Sequence, residues 1–204
     1  MTVESEGARP RELDARTDDE GDARFAGLAF RQCHPDHAGI AETVRASAAF
    51  PSRFTPPGAR FGVLYAALAP ETAAAELRRR AAQLGVPVSA LAPRVMLTIA
   101  VRLRRVLDLT DPAVRAAWGL TREDLASDDC ARCQEAATVA REDGYEAIRY
   151  PSVAVVLADL VAGGAATAAD APAADNLAIF ADRLHPGSDV RVVRSEVMPL
   201  EERS

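Results

Sequence analysis

The chain has 204 residues, which is enough for one well-filled hydrophobic core but too few to argue for two domains. Hydrophobic residues make up 49% and charged residues 26%, a balance that argues for a globular protein and against a fibrous or membrane-spanning class. The formal net charge of -6 disfavours general nucleic-acid binding, because an acidic surface repels a polyphosphate backbone. All 24 basic residues are arginine, a bias that lowers the weight of any single arginine.

Residues 1–24 mix both charge signs with almost no large apolar residue, so they cannot form the apolar core of a signal peptide. We expect this segment to be a disordered tail. No later stretch of about 18 residues is apolar enough to cross a bilayer. The sequence therefore predicts a cytoplasmic protein that does not contact a membrane.

The first half of the chain predicts a strand, a loop, a second strand and a helix. Residues 28–31 have strand character, and residues 34–58 indicate a long loop with a helical turn. The apolar segment 61–68 is typical of a buried strand and carries Tyr65. Residues 71–84 have alanine and leucine at helical spacing and carry Glu76, and Gly85 with Pro87 should end this helix.

The second half predicts the remaining elements of a single sheet. Residues 95–109 alternate in part, which indicates one long strand or two shorter ones, and Asp111-Pro112 should begin a helix. The other expected elements are a helix over 128–143, a strand from 144 to Tyr150-Pro151-Ser152, an exposed low-complexity insertion over 163–175, and closing strands at 176–180 and 189–193. This order predicts a single α+β domain over 25–196, with a central mixed β-sheet, flanking helices and a C-terminal tail over 197–204.

Two segments, SRFTPPGARFGVLYAALAPETAAAELRRR over 52–80 and GYEAIRYPSVAVV over 144–156, together resemble the RES domain family. That family is named for an arginine, a glutamate and a serine, and the resemblance covers roughly residues 28–181. It implies a fold similar to ADP-ribosyltransferases and a toxin that consumes NAD. The chain departs from the family at Thr55, where asparagine is frequent, and in an enlarged segment after Ser152.

Carried over by position, the resemblance implies a site formed by Arg31, Arg53, Tyr65, Glu76 and Ser152. The guanidinium groups suit the pyrophosphate, because they offer a bidentate fork to phosphate oxygens. The tyrosine ring would stack on the nicotinamide, and its hydroxyl would meet a ribose or an amide. The glutamate would bind ribose hydroxyls and stabilise a developing cation, and the serine would bind the carboxamide or the ribose.

Each residue also has a plainer interpretation that the sequence leaves open. Either arginine could form a structural ion pair, the tyrosine could be a core residue, and the serine could belong to an ordinary turn. Glu76 could pair with Arg79 or Arg80, which lie at helical spacing.

The resemblance implies an enzyme that cleaves the nicotinamide–ribose bond of NAD, as a glycohydrolase or a phosphorylase, with NAD as substrate and no bound cofactor. It also implies a neighbouring antitoxin of the Xre helix-turn-helix type, and it leaves a homodimer open. The alternatives are an ADP-ribosyltransferase acting on a protein target and a nucleotide-binding module without catalysis.

A third alternative is a zinc-stabilised interaction domain. Cys33, His34 and His37 form a compact cluster, and Cys130 with Cys133 forms a C-x-x-C pair, which together offer enough ligands for one tetrahedral site. The second pair falls within a predicted helix and lacks the glycine of a zinc knuckle. We therefore favour reduced thiols and no metal site.

Overall fold

A computed structural model describes residues 23–154, 156 and 175–198 of the chain. Six strands form one mixed sheet: β1 (Ala23–Cys33), β2 (Leu64–Ala67), β3 (Val95–Asp108), β4 (Ala147–Pro151), β5 (Asp175–Ile179) and β6 (Asp189–Val197). β3 and β4 run parallel, and the other neighbouring strands run antiparallel. The predicted single-domain α+β fold with a mixed sheet is confirmed.

The strand pairings close a ring, because β1 pairs with β2, β2 with β5, β5 with β4, β4 with β3, and β3 again with β1. β6 pairs with β3 outside this ring. In the described part of the sheet, β1 and β2 are in register only at Phe30 and Ala67. The two strands therefore diverge beyond this pair, which opens the sheet beside Arg31.

Five α-helices flank the sheet in the described ranges: α1 (Ile40–Ala48), α2 (Pro70–Leu84), α3 (Pro112–Ala117), α4 (Arg122–Ala126) and α5 (Ala131–Glu142). α2 begins at Pro70, which tolerates the first helical position because its missing N–H would have no partner there. It ends, as predicted, at Gly85, whose φ of 66° favours glycine. α2 packs on β1 and β2.

The core follows the alternation of β3, which is one continuous strand of 14 residues. Leu97, Ile99, Val101 and Leu103 are buried in a cluster with residues of β1, β2 and β5. A second cluster packs α5 against β4 and β5, with Phe180 fully buried. Successive residues of β5, Leu177, Ala178 and Ile179, are all buried, because the two clusters cover opposite faces of this strand.

Several boundaries differ from the sequence-based expectation. Residues 34–58 contain a nine-residue helix, α1, where only a helical turn was predicted. β1 begins at Ala23 and β6 extends to Val197, so both strands are longer than the predicted strands over 28–31 and 189–193. The predicted helix over 128–143 begins only at Ala131. Most of the predicted tails and residues 163–174 of the predicted insertion lie outside the described residues.

Among the residues described, no helix is long and apolar enough to cross a membrane.

Candidate active site

The carboxylate of Glu76 is the centre of a hydrogen-bonded cluster that joins three elements. Ser152 Oγ, just after β4, donates to Glu76 Oε1 over 2.7 Å. Asn176 Nδ2 on β5 donates to the same oxygen over 3.1 Å. Arg79 Nε, one turn further along α2, donates to Oε2 over 3.0 Å. Both carboxylate oxygens are therefore fixed in position.

These donors decide the charge of Glu76. Burial raises its pKa, but the hydrogen bonds from Ser152, Arg79 and Asn176, together with the Arg79 charge, outweigh burial and lower the pKa below its ordinary value. The Glu76 carboxylate is consequently ionised at neutral pH. Its side chain is 25% exposed and lines the cavity described below, so a ligand in that cavity can contact it.

Ser152 is itself completely buried, and its side chain lies behind Glu76. Residues 153 and 154, which follow it, are helical, and the carbonyl of Ser152 accepts a hydrogen bond from the N–H of Val156. In this position the hydroxyl orients the carboxylate of Glu76. The sequence had suggested direct contact of this hydroxyl with a ligand.

The hydroxyl of Tyr65 on β2 holds the turn that carries Arg53. It lies 2.8 Å from Ser52 Oγ and 3.1 Å from Thr55 Oγ1, and it accepts a hydrogen bond from the N–H of Phe54 over 2.9 Å. Burial raises the pKa of Tyr65, so the phenol stays neutral. Its hydroxyl thus forms hydrogen bonds with the turn, and Tyr65 is also one of the residues that line the cavity described below.

The two predicted arginines approach the same cavity from different sides. Arg31 Nη1 donates to the backbone carbonyl of Tyr65 over 2.7 Å, across the opening between β1 and β2. Its Nε is buried and has no hydrogen-bond partner among the described residues. Arg53 Nη1 lies 3.4 Å from the carbonyl oxygen of Asp124. An orphaned buried N–H is costly, so Arg31 Nε calls for an acceptor from a ligand.

A cavity of about 660 Å³ lies between α1, α2 and the sheet, a volume typical of small-molecule sites. Arg31, Arg53, Tyr65 and Glu76 all line it, and Ser152 does not. Four of the five residues implied by the sequence therefore meet at one cavity, and the fifth contacts Glu76 from behind.

The cavity wall carries positive charge although the chain as a whole is acidic. Its charged lining residues are Arg31, Arg53, Arg79, Arg80, Arg94, Glu76 and Asp128. Five guanidinium groups face two carboxylates, and low-dielectric walls concentrate their field within the cavity. The wall therefore suits an anionic ligand.

Comparison with known proteins identifies the family of this chain. The family model for the RES domain matches residues 28–201. The chain belongs to the RES domain family. Among solved structures, this RES domain is similar to a chain in the crystal structure of the M. tuberculosis MbcT–MbcA toxin–antitoxin complex, with 21% sequence identity and a TM-score of 0.69. The similarity covers 86% of this chain and 85% of that chain. The search of curated proteins gave no significant match.

The sequence did not single out Asn176 or Tyr150 as site residues of this RES domain. Asn176 begins a predicted strand, and it lies close to Glu76 because β5 pairs with β2, one of the strands on which α2 packs. Tyr150 pairs with Asn176 in that sheet and lines the cavity, where burial raises its pKa well above the ordinary value. A polar residue at each of two strand ends was the only signal that the sequence offered.

The plainer interpretation of Glu76, an ion pair with Arg79, is also present in the structure. It coexists with the contacts to Ser152 and Asn176, so the helical pair and the candidate site are the same cluster. Arg79 should therefore be counted with the site residues.

The zinc hypothesis receives no support from the described part of the RES domain, where no group of three or more His, Cys, Asp or Glu side chains could hold a metal ion. Cys33 and Cys133 are buried as free thiols. Cys33 belongs to the cluster that contains Leu97 and Ile99 of β3, whereas Cys133, on α5, belongs to the cluster that contains Phe180. The two predicted halves of the zinc site therefore belong to different cores.

Proposed function

We propose that this RES domain is the toxin of a toxin–antitoxin system and that it consumes NAD in the cytoplasm by cleaving the nicotinamide–ribose bond. The observation that carries the proposal is the ionised Glu76, held by Ser152, Asn176 and Arg79 in the wall of a cationic cavity. A fixed negative charge beside an anion-binding wall matches a substrate with a cationic ring at one end and a pyrophosphate in its middle.

Cleavage of the nicotinamide–ribose bond needs little acid catalysis. When it breaks, both bonding electrons go to the nicotinamide ring, which leaves as a neutral molecule. Positive charge then develops on the ribose as an oxocarbenium ion. A carboxylate oriented before the reaction stabilises that charge without reorganisation, which is the electrostatic route to a lower barrier. Water then adds to the same carbon and releases one proton to the solvent, whereas hydrogen phosphate adds through an anionic oxygen without losing a proton.

Arg31 and Arg53 are suited to bind the pyrophosphate of NAD. Arg31 has a buried Nε without a partner in the described structure, and Arg53 lies on the turn fixed by Tyr65. Guanidinium groups bind pyrophosphate oxygens through paired N–H donors and stay charged at any working pH. In the proposed complex they hold the pyrophosphate while Glu76 faces the ribose. NAD is the substrate in this scheme, and no resident cofactor is required.

The proposed partner is an antitoxin of the Xre helix-turn-helix type. Two findings support it: membership of the RES domain family, and the similar fold of a chain in a toxin–antitoxin complex. Co-expression with the neighbouring reading frame tests it. The expected result is restored bacterial growth together with co-purification of the two proteins, and failure of the neighbour to bind contradicts it.

The enzymatic proposal is tested by incubating the purified protein with NAD, with and without phosphate, and following nicotinamide and ADP-ribose products by chromatography. Glu76→Gln should lower the rate about 100-fold or more, because removing one preorganised electrostatic contact costs that much in other enzymes. Glu71→Gln is the matched control, since Glu71 is an exposed residue in the first turn of the same helix.

The products separate the proposed activity from its alternatives. Phosphate-dependent release identifies a phosphorylase, and release without phosphate identifies a glycohydrolase. Label transfer from NAD to a protein would instead identify an ADP-ribosyltransferase. Binding of NAD without nicotinamide release by folded protein would contradict the proposal and leave a non-catalytic nucleotide-binding module.

A further inference from the structure

Two neighbouring residues of β1 carry buried polar atoms without partners. In the described part of the chain, four buried side-chain nitrogen or oxygen atoms lack a hydrogen bond, and two of them are Arg31 Nε and Gln32 Oε1. Both residues line the cavity. The amide oxygen of Gln32 is an acceptor, so it calls for a donor that the protein does not supply.

Gln32 lies beside an arginine that the proposed reaction has not used. Gln32 pairs with Met96 of β3, and Arg94 is two residues before Met96. Arg94 directly precedes β3, and its carbonyl accepts a hydrogen bond from the N–H of Met198, which continues the pairing of β3 with β6. Arg94 therefore lies at the end of β3, close to the Gln32–Met96 pair. Arg94 Nε donates to the carbonyl of Leu91 over 2.7 Å, which orients the guanidinium group, and Arg94 also lines the cavity.

The strand pairing separates Gln32 from Asn176, the residue of β5 that contacts Glu76. Phe30 pairs with Ala67, which pairs with Asn176, the residue bonded to Glu76. Gln32 lies two residues beyond Phe30 on the same face. In a regular sheet, two strand spacings and two residue rises correspond to roughly 12 Å between the Cα atoms of Gln32 and Asn176, and β1 diverges from β2 beyond Phe30. Gln32 and Arg94 therefore line a part of the cavity away from the Asn176–Glu76 contact, and Arg31 precedes Gln32 on β1.

We propose that Gln32 and Arg94 form a second subsite of the cavity, which binds the adenylate half of the substrate. A ribose hydroxyl donates to Gln32 Oε1, and the guanidinium of Arg94 binds the phosphate of the same nucleotide. The inference rests on the proposed function, because it assigns the substrate's second nucleotide. It makes Gln32 and Arg94 binding residues with no part in bond cleavage.

Titration of AMP into the purified protein by calorimetry tests the subsite independently of turnover. AMP should bind the wild type, and Gln32→Leu and Arg94→Gln should each weaken its affinity about ten-fold, the effect expected for one lost hydrogen bond. Arg102→Gln is the matched control, since Arg102 is an exposed arginine on β3 outside the cavity lining and should leave the affinity unchanged. Thermal melting of each variant verifies that it is folded. Gln32→Leu tests the contact with the ribose, and Arg94→Gln tests the contact with the phosphate.

Kinetics with two substrates gives the second readout. Nicotinamide mononucleotide keeps the scissile bond but lacks the adenylate, so both variants should raise KM about ten-fold for NAD and leave the kinetics of the mononucleotide unchanged. Absence of AMP binding to the wild type, or an unchanged AMP affinity in both folded variants, overturns the subsite. Absence of NAD cleavage with intact AMP binding overturns the proposed function alone.

Discussion

The hydroxyl of Ser152 donates a 2.7 Å hydrogen bond to Oε1 of Glu76, although the two residues are 76 positions apart in the chain. This contact joins the end of β4 to the middle of α2. It also helps to keep Glu76 ionised, because it is one of the interactions that lower the pKa of that carboxyl against the effect of burial. The serine thereby supports the charge on which the proposed reaction depends.

Ser152→Ala should raise the pKa of Glu76, since the mutation removes a hydrogen bond that favours the ionised form. The proposed reaction requires the carboxylate, so activity should be lost as pH falls through this pKa, and the acidic limb of the rate profile should move to higher pH. At neutral pH we expect about a ten-fold slower reaction from the loss of one hydrogen bond to a charged group. The rate of NAD cleavage as a function of pH measures both effects.

Ser195→Ala, at an exposed position on β6, is the control. An unchanged acidic limb would rule out this role for Ser152.

Tyr65→Phe should loosen the turn that carries Arg53. The mutation deletes the acceptor of the Phe54 N–H and the contacts to Ser52 and Thr55, and Phe54 is fully buried. An unpaired buried N–H costs about 1–3 kcal/mol of unfolding free energy. Denaturant unfolding measures this loss, and KM for NAD should rise in the same variant. A variant with wild-type stability and KM would show that the hydroxyl does not hold the turn.

Glu146→Gln should destabilise the fold without acting through the cavity. The fully buried Glu146 accepts backbone N–H hydrogen bonds from Arg104, Arg105 and His185, and an amide would turn an N–H towards one of these donors. Hydrogen bonds to a charged group contribute about 1.5–3 kcal/mol each, so we expect a loss of about 3 kcal/mol.

The pH dependence of this effect has a definite sign. Burial raises the pKa of Glu146, but the hydrogen bonds outweigh burial and lower it below its ordinary value of 4.5. The stability from the ionised form is therefore present above pH 4.5 and is lost as pH falls through the lower folded-state pKa. Unfolding curves of wild type and Glu146→Gln should converge at acid pH. A difference that stays constant between neutral and acid pH would contradict this explanation.

Gly62→Ala should displace α1 from the sheet. A Cβ atom built at Gly62 would lie 1.9 Å from the backbone carbonyl oxygen of Val44, so either the helix or the chain before β2 must move. We expect a loss of about 3 kcal/mol in the free energy of unfolding, at the upper end for an overpacked site. Gly39→Ala is the matched control, because its Cβ would meet only the end of the flexible Glu42 side chain. Equal melting temperatures for the two variants would contradict the close approach.

Local patterns were sufficient for the long elements of the fold. The segment that forms α2 has helical spacing between a proline and a glycine, and both ends are where those residues predict them. β3 follows from its alternation of buried and exposed residues. The helix α1 was missed, because its nine residues lie in a segment rich in proline, serine and glycine, and the sequence signal was correspondingly weak.

The sequence by itself determined the α+β fold class, the family, and a short set of candidate residues on the correct elements, since these depend on periodicity, end signals and local motifs. Only the tertiary structure decided that Ser152 lies behind Glu76, that Asn176 and Arg79 share its carboxylate, and that Tyr65 holds the turn. The reason is physical: these contacts join strands and helices far apart in the chain, and their geometry exists only after the sheet has paired its strands and α2 has packed across it.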